Sequence, residues 1–508
     1  MTKTTALLNW NSYRYFPYEK ELAQREVSAL LKPVEVAVAD DGLQVSGEFK
    51  STQLKRLVYF GGYRVNGKII PTLQNNLESS CTVTGSQKRQ STRYSVHGMH
   101  EYKGKFNPQV VRGVLNILGA TPNSRIIDPF CGSGTSLVEC AHVGMTAIGC
   151  DMNPLAVYIT NTKLKALATP EETLRTLFLR LVDKFEKQEK KNYLPVMASD
   201  NERAEYLWNW FDKETLSNIE YLKLLAYTVT SEHSNIFLVL VSDLLRDYSL
   251  QEPTDLRIRR RYSPFPQQPF WEAFKRKALQ FLDNLSTVQQ VIGVRKGHSR
   301  AYLCDSRALD TAPKFPKPST GYHAAITSPP YATALPYIDT QRLSLVWLGL
   351  ISPKEIGYLE ARLTGSREFI QEQKKLWGDS LANNSRRLPD NIYKYCLKLK
   401  KAVSSKDGFR RKSVPMLMYR YLSDMRDVFK STLGVMQASA PFALIVGHNR
   451  TNLDGKDFDI DTPALLREVA LECGWLHEDS IPLQTYQRYG SHMANAVQAE
   501  TLLIVRKP

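Results

Sequence analysis

The sequence predicts an α/β fold: a mostly parallel open sheet with an N-terminal α+β region and helical insertions. Three observations carry this. Residues 125–151 read strand, Gly-rich turn, helix, strand, which is one βαβ unit. The same pattern returns later, with strand endings at Asp305 and Thr327 and further apolar strands at 441–446 and 501–505. Between these pieces, 166–246 and 353–412 carry helical rather than strand periodicity.

The elements follow in order. Tyr18 to Leu31 has helical spacing, with Leu22, Val27, Leu30 and Leu31 on one side. Val34, Val36 and Val38 alternate as in a strand, Gly61-Gly62 marks a turn before a second strand at 63–65, and 75–93 is a polar loop. Val110 to Leu118 is an apolar-periodic helix. Arg125–Asp128 and Thr146–Asp151 are strands, with a helix through Leu137 and Cys140 between them. A helix over 463–473 separates the last two strands.

The domain reading is an accessory region at 1–95 and a discontinuous core at 96–165, 301–352 and 413–508. A mostly helical insertion at 166–300 and a basic helical insertion at 353–412 hang from that core. Among 508 residues no run of about 18 apolar residues occurs, so no transmembrane helix is expected, and residues 1–9 lack a signal-peptide core. The seven cysteines are scattered singly with no C-x-x-C pair. That argues against a structural zinc site and a disulfide framework, and for a reducing, cytoplasmic setting. No clustered His/Asp ligand set is visible, so no metal is expected.

Asp128-Pro129-Phe130-Cys131-Gly132-Ser133-Gly134-Thr135 joins the first strand of the unit to its helix. Gly132 and Gly134 allow a tight turn and close approach of a ligand to the backbone. Asp151 ends the next strand, 19 residues after Gly132, where an acid accepts from ribose hydroxyls. A dinucleotide site wants a third glycine at the position held by Leu137, and an acid such as Asp128 is awkward beside a pyrophosphate. Both acids suit S-adenosylmethionine, which carries an amino-acid end, a sulfonium and a ribose but no phosphate.

Thr327-Ser328-Pro329-Pro330-Tyr331 follows another strand. The two prolines fix φ and remove two backbone donors. Ser328 and the Pro329 carbonyl then offer acceptors to an amino group on a planar ring, and Tyr331 offers a stacking surface. A Pro-rich turn would be the plainer reading of the tetrapeptide alone; its coexistence with the cofactor loop favours a catalytic clamp.

The D-P-F-x-G-S-G-T loop and the S-P-P-Y tetrapeptide resemble those of the amino-group DNA methyltransferases, which have a class I, Rossmann-like methyltransferase fold. The segment from His97 to Pro108 resembles the stretch that these enzymes carry before the cofactor loop. The resemblance covers under half of the chain. It implies S-adenosylmethionine as cofactor, Lys105 and Phe106 beside it, and Asp305 at its adenine. It also implies methyl transfer to cytosine N4 or adenine N6, with Ser328 favouring cytosine, on a base flipped out of duplex DNA. A restriction–modification or defence setting with cognate components, and association with the nucleoid, follow from it. A cysteine nucleophile is not expected, because no cysteine follows a proline.

The formal charge of +16 points to a polyanionic partner. It is concentrated. Residues 354–412 hold 15 Lys/Arg against 7 Asp/Glu, a net +8, and residues 251–300 hold 10 against 4, a net +6. Arg257, Arg259, Arg260 and Arg261, with Arg386, Arg387, Arg410, Arg411 and Lys412, are the candidate nucleic-acid contacts. Two other functions fit the same motifs: an RNA methyltransferase acting on guanine N2 or adenine N6, and a nucleic-acid-binding protein with a vestigial methyltransferase fold.

Overall fold

The structure, a computed structural model, describes residues 4–79, 90–187, 201–332, 338–369, 371–484 and 499–508. Residues 80–89, most of the polar 75–93 stretch, lie outside the described residues, as does Cys81.

An antiparallel sheet opens the chain: β1 (Thr4–Trp10), β2 (Glu35–Ala39), β3 (Gly42–Gly47), β4 (Phe60–Val65) and β5 (Lys68–Pro71), in the order β2-β3-β1-β4-β5. The helix Pro17–Leu31 buries Leu22, Val27 and Leu31. The valines of the expected strand at 34–38 do not reach the core. β2 pairs only with β3, and Val36 and Val38 remain 49% and 86% exposed at this sheet edge. The polar 75–93 stretch is not all loop, since Leu73–Glu78 is helical.

The main sheet contains β6 (Arg125–Asp128), β7 (Thr146–Asp151), β8 (Arg300–Leu303), β9 (Ala324–Thr327), β10 (Pro441–Gly447), β13 (Leu476–Gln484) and β14 (Ala499–Arg506). A small hairpin of β11 (Asn449–Leu453) and β12 (Lys456–Ile460) follows β10. The sheet order is β13-β14-β10-β9-β6-β7-β8. β8, β7, β6, β9 and β10 are parallel, and β14 is antiparallel to both of its neighbours. This is the class I methyltransferase arrangement. The strand order reverses between β6 and β9, so ligands are expected at the carboxyl ends of these strands.

Apolar packing covers both sheet faces. Ile127, Ile148, Ala325 and Phe442 face one cluster with the helix Phe409–Val435, while Ile126, Ala147, Ala443 and Ile504 face another. The second cluster also holds Leu8, Leu22 and Tyr59. The N-terminal region therefore shares a core with the main sheet instead of standing apart. The insertion at 166–300 is helical as expected, with Phe270–Ile292 the longest of its helices among the described residues.

Two polar assemblies escaped the linear reading. Glu139 Oε1 accepts from Tyr94 Oη at 2.8 Å and lies 2.7 Å from His97 Nε2 and 3.2 Å from His142 Nδ1. Arg112 Nη1 stands 3.5 Å from the other carboxylate oxygen. All of these side chains are buried. Burial opposes the charge on Glu139, yet Arg112 and His142 hold its carboxyl well below the usual range. A His/Glu set therefore does exist, assembled from positions 97, 139 and 142. With Arg112 already supplying the positive charge, it ties the His97–Pro108 segment to the helix after the cofactor loop. The second assembly is Cys150 with Cys304, whose sulfurs are in bonding contact at the ends of β7 and β8, Cα atoms 5.6 Å apart. The scattered spacing argued against such a pair; strand adjacency across 154 residues creates it.

Candidate active site

The chemically distinctive residues gather where the parallel strands end. Asp128 closes β6, Asp151 closes β7, Ser306 follows β8, and Thr327 leads from β9 into Ser328-Pro329-Pro330-Tyr331. A cavity of about 560 Å³ lies over these ends. Its walls include Pro129, Phe130, Gly132, Asp151, Ser306 and all four residues of the tetrapeptide. A smaller cavity beside it is lined by Lys105, Phe106, Asp128, Ser133, Thr135 and Ser328. The fold thus brings the cofactor loop and the tetrapeptide, about 190 residues apart in sequence, to one place.

The two loop glycines do different work. Gly132 adopts φ +49° and faces the Tyr102 ring, and its N–H donates to Asp151 Oδ2 at 2.9 Å. Gly134 adopts φ +81° where the helix Thr135–His142 begins, and a Cβ there would lie 2.5 Å from Thr160. Close approach at Gly134 is therefore to a neighbouring helix.

Asp128 is buried and accepts from Phe130 N–H at 3.0 Å, from the Thr327 hydroxyl at 2.7 Å and from the Ser136 hydroxyl. Burial pushes its carboxyl up to about 6, and does the same for Asp151. Carboxyls in such surroundings are poised for a cationic ligand. Lys105 donates to the Thr92 and His97 carbonyls at 2.8 and 3.1 Å, which holds the preceding segment against the loop.

Asp305 is ion-paired within the chain. Both of its oxygens are engaged by Arg307, at 2.9 and 2.7 Å, and Arg307 also binds Asp424. At this strand end the cavity is lined by Ser306 instead.

In the tetrapeptide, Ser328 Oγ donates to the Ile445 carbonyl at 3.3 Å, which leaves the oxygen lone pairs as acceptors. Tyr331 Oη donates to Glu500 Oε1 at 2.6 Å. Its ring packs on Gly447, where a Cβ would come within 2.8 Å, and its carbonyl packs on Gly365, where a Cβ would come within 2.4 Å. Sequence reasoning missed Tyr102, Ser306, Glu360, Gly365, Gly447 and Glu500. Tyr102 alone sat within a stretch already singled out.

The basic residues divide. Arg261 donates to the carbonyls of Ser263, Asp247, Ser249 and Pro264 and lies over the Phe265 ring. Arg386 pairs with Asp427, and Arg259 pairs with Asp255 at 2.9 Å. Arg260 donates to the Asn209 carbonyl and lies over Trp210. Arg261 and Arg386 therefore brace the fold rather than stand ready for phosphate. Arg257, Arg387, Arg410, Arg411 and Lys412 are exposed. Partial burial, then the charges of Arg410 and Arg257, hold the Arg367 guanidinium below its ordinary value, so the two insertions converge.

The donor set fits S-adenosylmethionine. Among the described residues the charged groups lining the large cavity are Lys103, Asp151 and Glu360, and Lys103 already pairs with Glu101. Asp151 here, with Asp128 beside it in the smaller cavity, suits a cationic, phosphate-free cofactor. Ser133 Oγ is buried without a hydrogen-bond partner beside Asp128, as expected where a polar ligand completes the loop.

Comparisons agree. Residues 98–205 match the RMKL-like methyltransferase domain family. The type II methyltransferase M.MjaII of Methanocaldococcus jannaschii is 47% identical over 70 residues, 14% of this chain and 13% of that protein. M.MvaI of Kocuria varians is 24% identical over 51% of this chain and 59% of its own. M.AvaI of Nostoc is 21% identical over 80% and 86%. The chain thus spans less than two thirds of the first two relatives. With this sheet order and these motifs, the chain has a class I methyltransferase fold and is similar to the type II DNA methyltransferases.

Proposed function

We propose that this protein methylates an exocyclic amino group of a flipped base in duplex DNA, with cytosine N4 the preferred target. The observation that carries this is the shared cavity of Gly132, Asp151 and Ser328-Pro329-Pro330-Tyr331. The type II relatives and the exposed cations of both insertions support DNA as substrate.

S-adenosylmethionine would be held by Asp128 and Ser133 at its amino-acid end and by Asp151 at its ribose, and it supplies an electrophilic methyl group. The chain's own residues position the acceptor. Ser328 Oγ and the Pro329 carbonyl accept the amine hydrogens and keep the nitrogen lone pair free. Tyr331, anchored through Glu500, stacks on the base. Positioning of this kind accounts for most of the rate in such transfers. Arg257, Arg410 and Arg411 contact phosphates and set register without reading sequence. A restriction–modification setting follows from the type II relatives.

The test is incorporation of tritium from labelled cofactor into unmethylated duplex DNA and into RNA in parallel, followed by identification of the modified nucleoside. N4-methylcytosine in DNA is expected. N6-methyladenine would move the target base, label in RNA alone would overturn the DNA assignment, and no label in either would overturn the enzyme assignment.

A further inference from the structure

Part of the wall of the cavity that holds the tetrapeptide is supplied by the second insertion. The helix Ile356–Arg362 and the turn after it supply Glu360, Leu363, Thr364 and Ser366 to that wall. The turn is fixed in place. The Ala361 carbonyl accepts from the buried Arg420, and the Arg362 carbonyl accepts from Arg307 at 3.3 Å. Gly365 lies against the Tyr331 backbone, with no room there for a side chain. Glu360 therefore lines the same cavity as the tetrapeptide, on a segment braced just after it, with its side chain 12% exposed.

The tetrapeptide can hold only half of the edge of an amino-bearing base. Ser328 Oγ and the Pro329 carbonyl are acceptors, and the two prolines offer no N–H. Cytosine and adenine each present, beside the amine, a ring nitrogen that needs a donor. A neutral carboxylic acid has one donor and one acceptor on a single plane. On the reading that this site methylates a flipped base, we propose that Glu360, as the neutral acid, donates to the ring nitrogen beside the reactive amine.

Its surroundings favour the neutral form. Arg342 Nη2 is 3.5 Å from Glu360 but nearer to Asp339, at 2.8 Å. Burial first, then Asp339 and, more weakly, Glu368, push the Glu360 carboxyl up to about 7 against the pull of Arg342. The other charged groups lining the cavity are Asp151, which adds no positive charge, and Lys103, which pairs with Glu101. An ionised carboxylate would present acceptors alone. It would suit a base whose ring nitrogen carries hydrogen, as in guanine.

The experiment measures kcat and KM for tritium transfer into unmethylated bacteriophage DNA, from pH 5.5 to 8.5 at saturating cofactor, for wild type, Glu360→Ala and Glu360→Gln. Cofactor affinity is measured separately by calorimetry, and unfolding midpoints check each variant. Wild-type transfer should fall as pH rises through about 7. Glu360→Ala should lose about tenfold or more at pH 6, the scale of one lost base contact. Glu360→Gln, which offers an N–H without titrating, should recover most of that loss and abolish the decline. All three proteins should bind cofactor alike. A Gln variant as inactive as the Ala variant, or wild-type transfer that rises through pH 7, would overturn the assignment. Failure of wild type to label DNA would instead overturn the underlying function, and this inference with it.

Discussion

Thr327 Oγ1 donates to Asp128 Oδ1 across 2.7 Å, joining residues 199 positions apart. One hydrogen bond thus couples the strand that leads into the tetrapeptide to the first acid of the cofactor loop. Thr327→Val removes a donor from a buried carboxylate. It should cost about 1–3 kcal/mol of unfolding free energy and weaken cofactor binding, read by denaturant titration and calorimetry. Unchanged affinity would mean that the two motifs are merely adjacent.

Asp128 and Asp151 give the ligand-free protein a characteristic pH response. Their folded-state pKa values, about 6, lie above that of an unfolded aspartate, so the folded state binds protons more readily. Their contribution to stability is present at about pH 4 and is lost as pH rises through 6. Asp128→Asn should shallow that decline in the unfolding midpoint, and saturating cofactor should offset it by favouring the ionised acids.

Gly134→Ala places a methyl group 2.5 Å from Thr160 at a left-handed backbone position. A loss of about 1–3 kcal/mol is expected, partly relieved by Thr160→Ala in the double variant. Thermal unfolding of the four-member cycle measures the coupling. Additivity would show that helix packing is not why glycine stands there.

The arginines should separate by role. Arg257→Gln with Arg410→Gln should lower the salt slope of DNA binding by about 0.9 for each phosphate contact removed. Arg261→Gln should leave that slope alone and lower stability, since its donors serve four carbonyls of its own chain. The reverse pattern in filter-binding and melting data would reassign both.

Glu139→Gln breaks a buried ion pair and should destabilise by about 3–5 kcal/mol, through Arg112 left uncompensated. Exchange at the backbone amides of 95–105 should rise along with it, because that segment is anchored through His97.

β6 and β7 were legible because they are largely buried and read as short apolar runs: Arg125–Asp128 and Thr146–Asp151 fell where the residues placed them. β13 was not, being a half-exposed edge strand interrupted by Pro482 and a register shift. In the site, Asp128, Gly132, Asp151 and Ser328–Tyr331 announced themselves by spacing. Glu360, Gly447 and Glu500 did not, because their meaning depends on contacts made 30–170 residues away. The role of Arg261 was not legible for a related reason: a run of arginines looks the same whether its donors meet phosphate or carbonyl oxygen.

The position of β9 also governs how the protein is made. β6 and β7 leave the ribosome early, but the edge of β6 finds its partner only after residue 327 is synthesised, and β9 waits for β10 until residue 447. The helices between 154 and 292 are complete before then and can pack among themselves. A nascent chain released before β9 emerges would carry the entire glycine loop but lack the Thr327 hydroxyl that engages Asp128. Its open sheet edge would be a surface for chaperones.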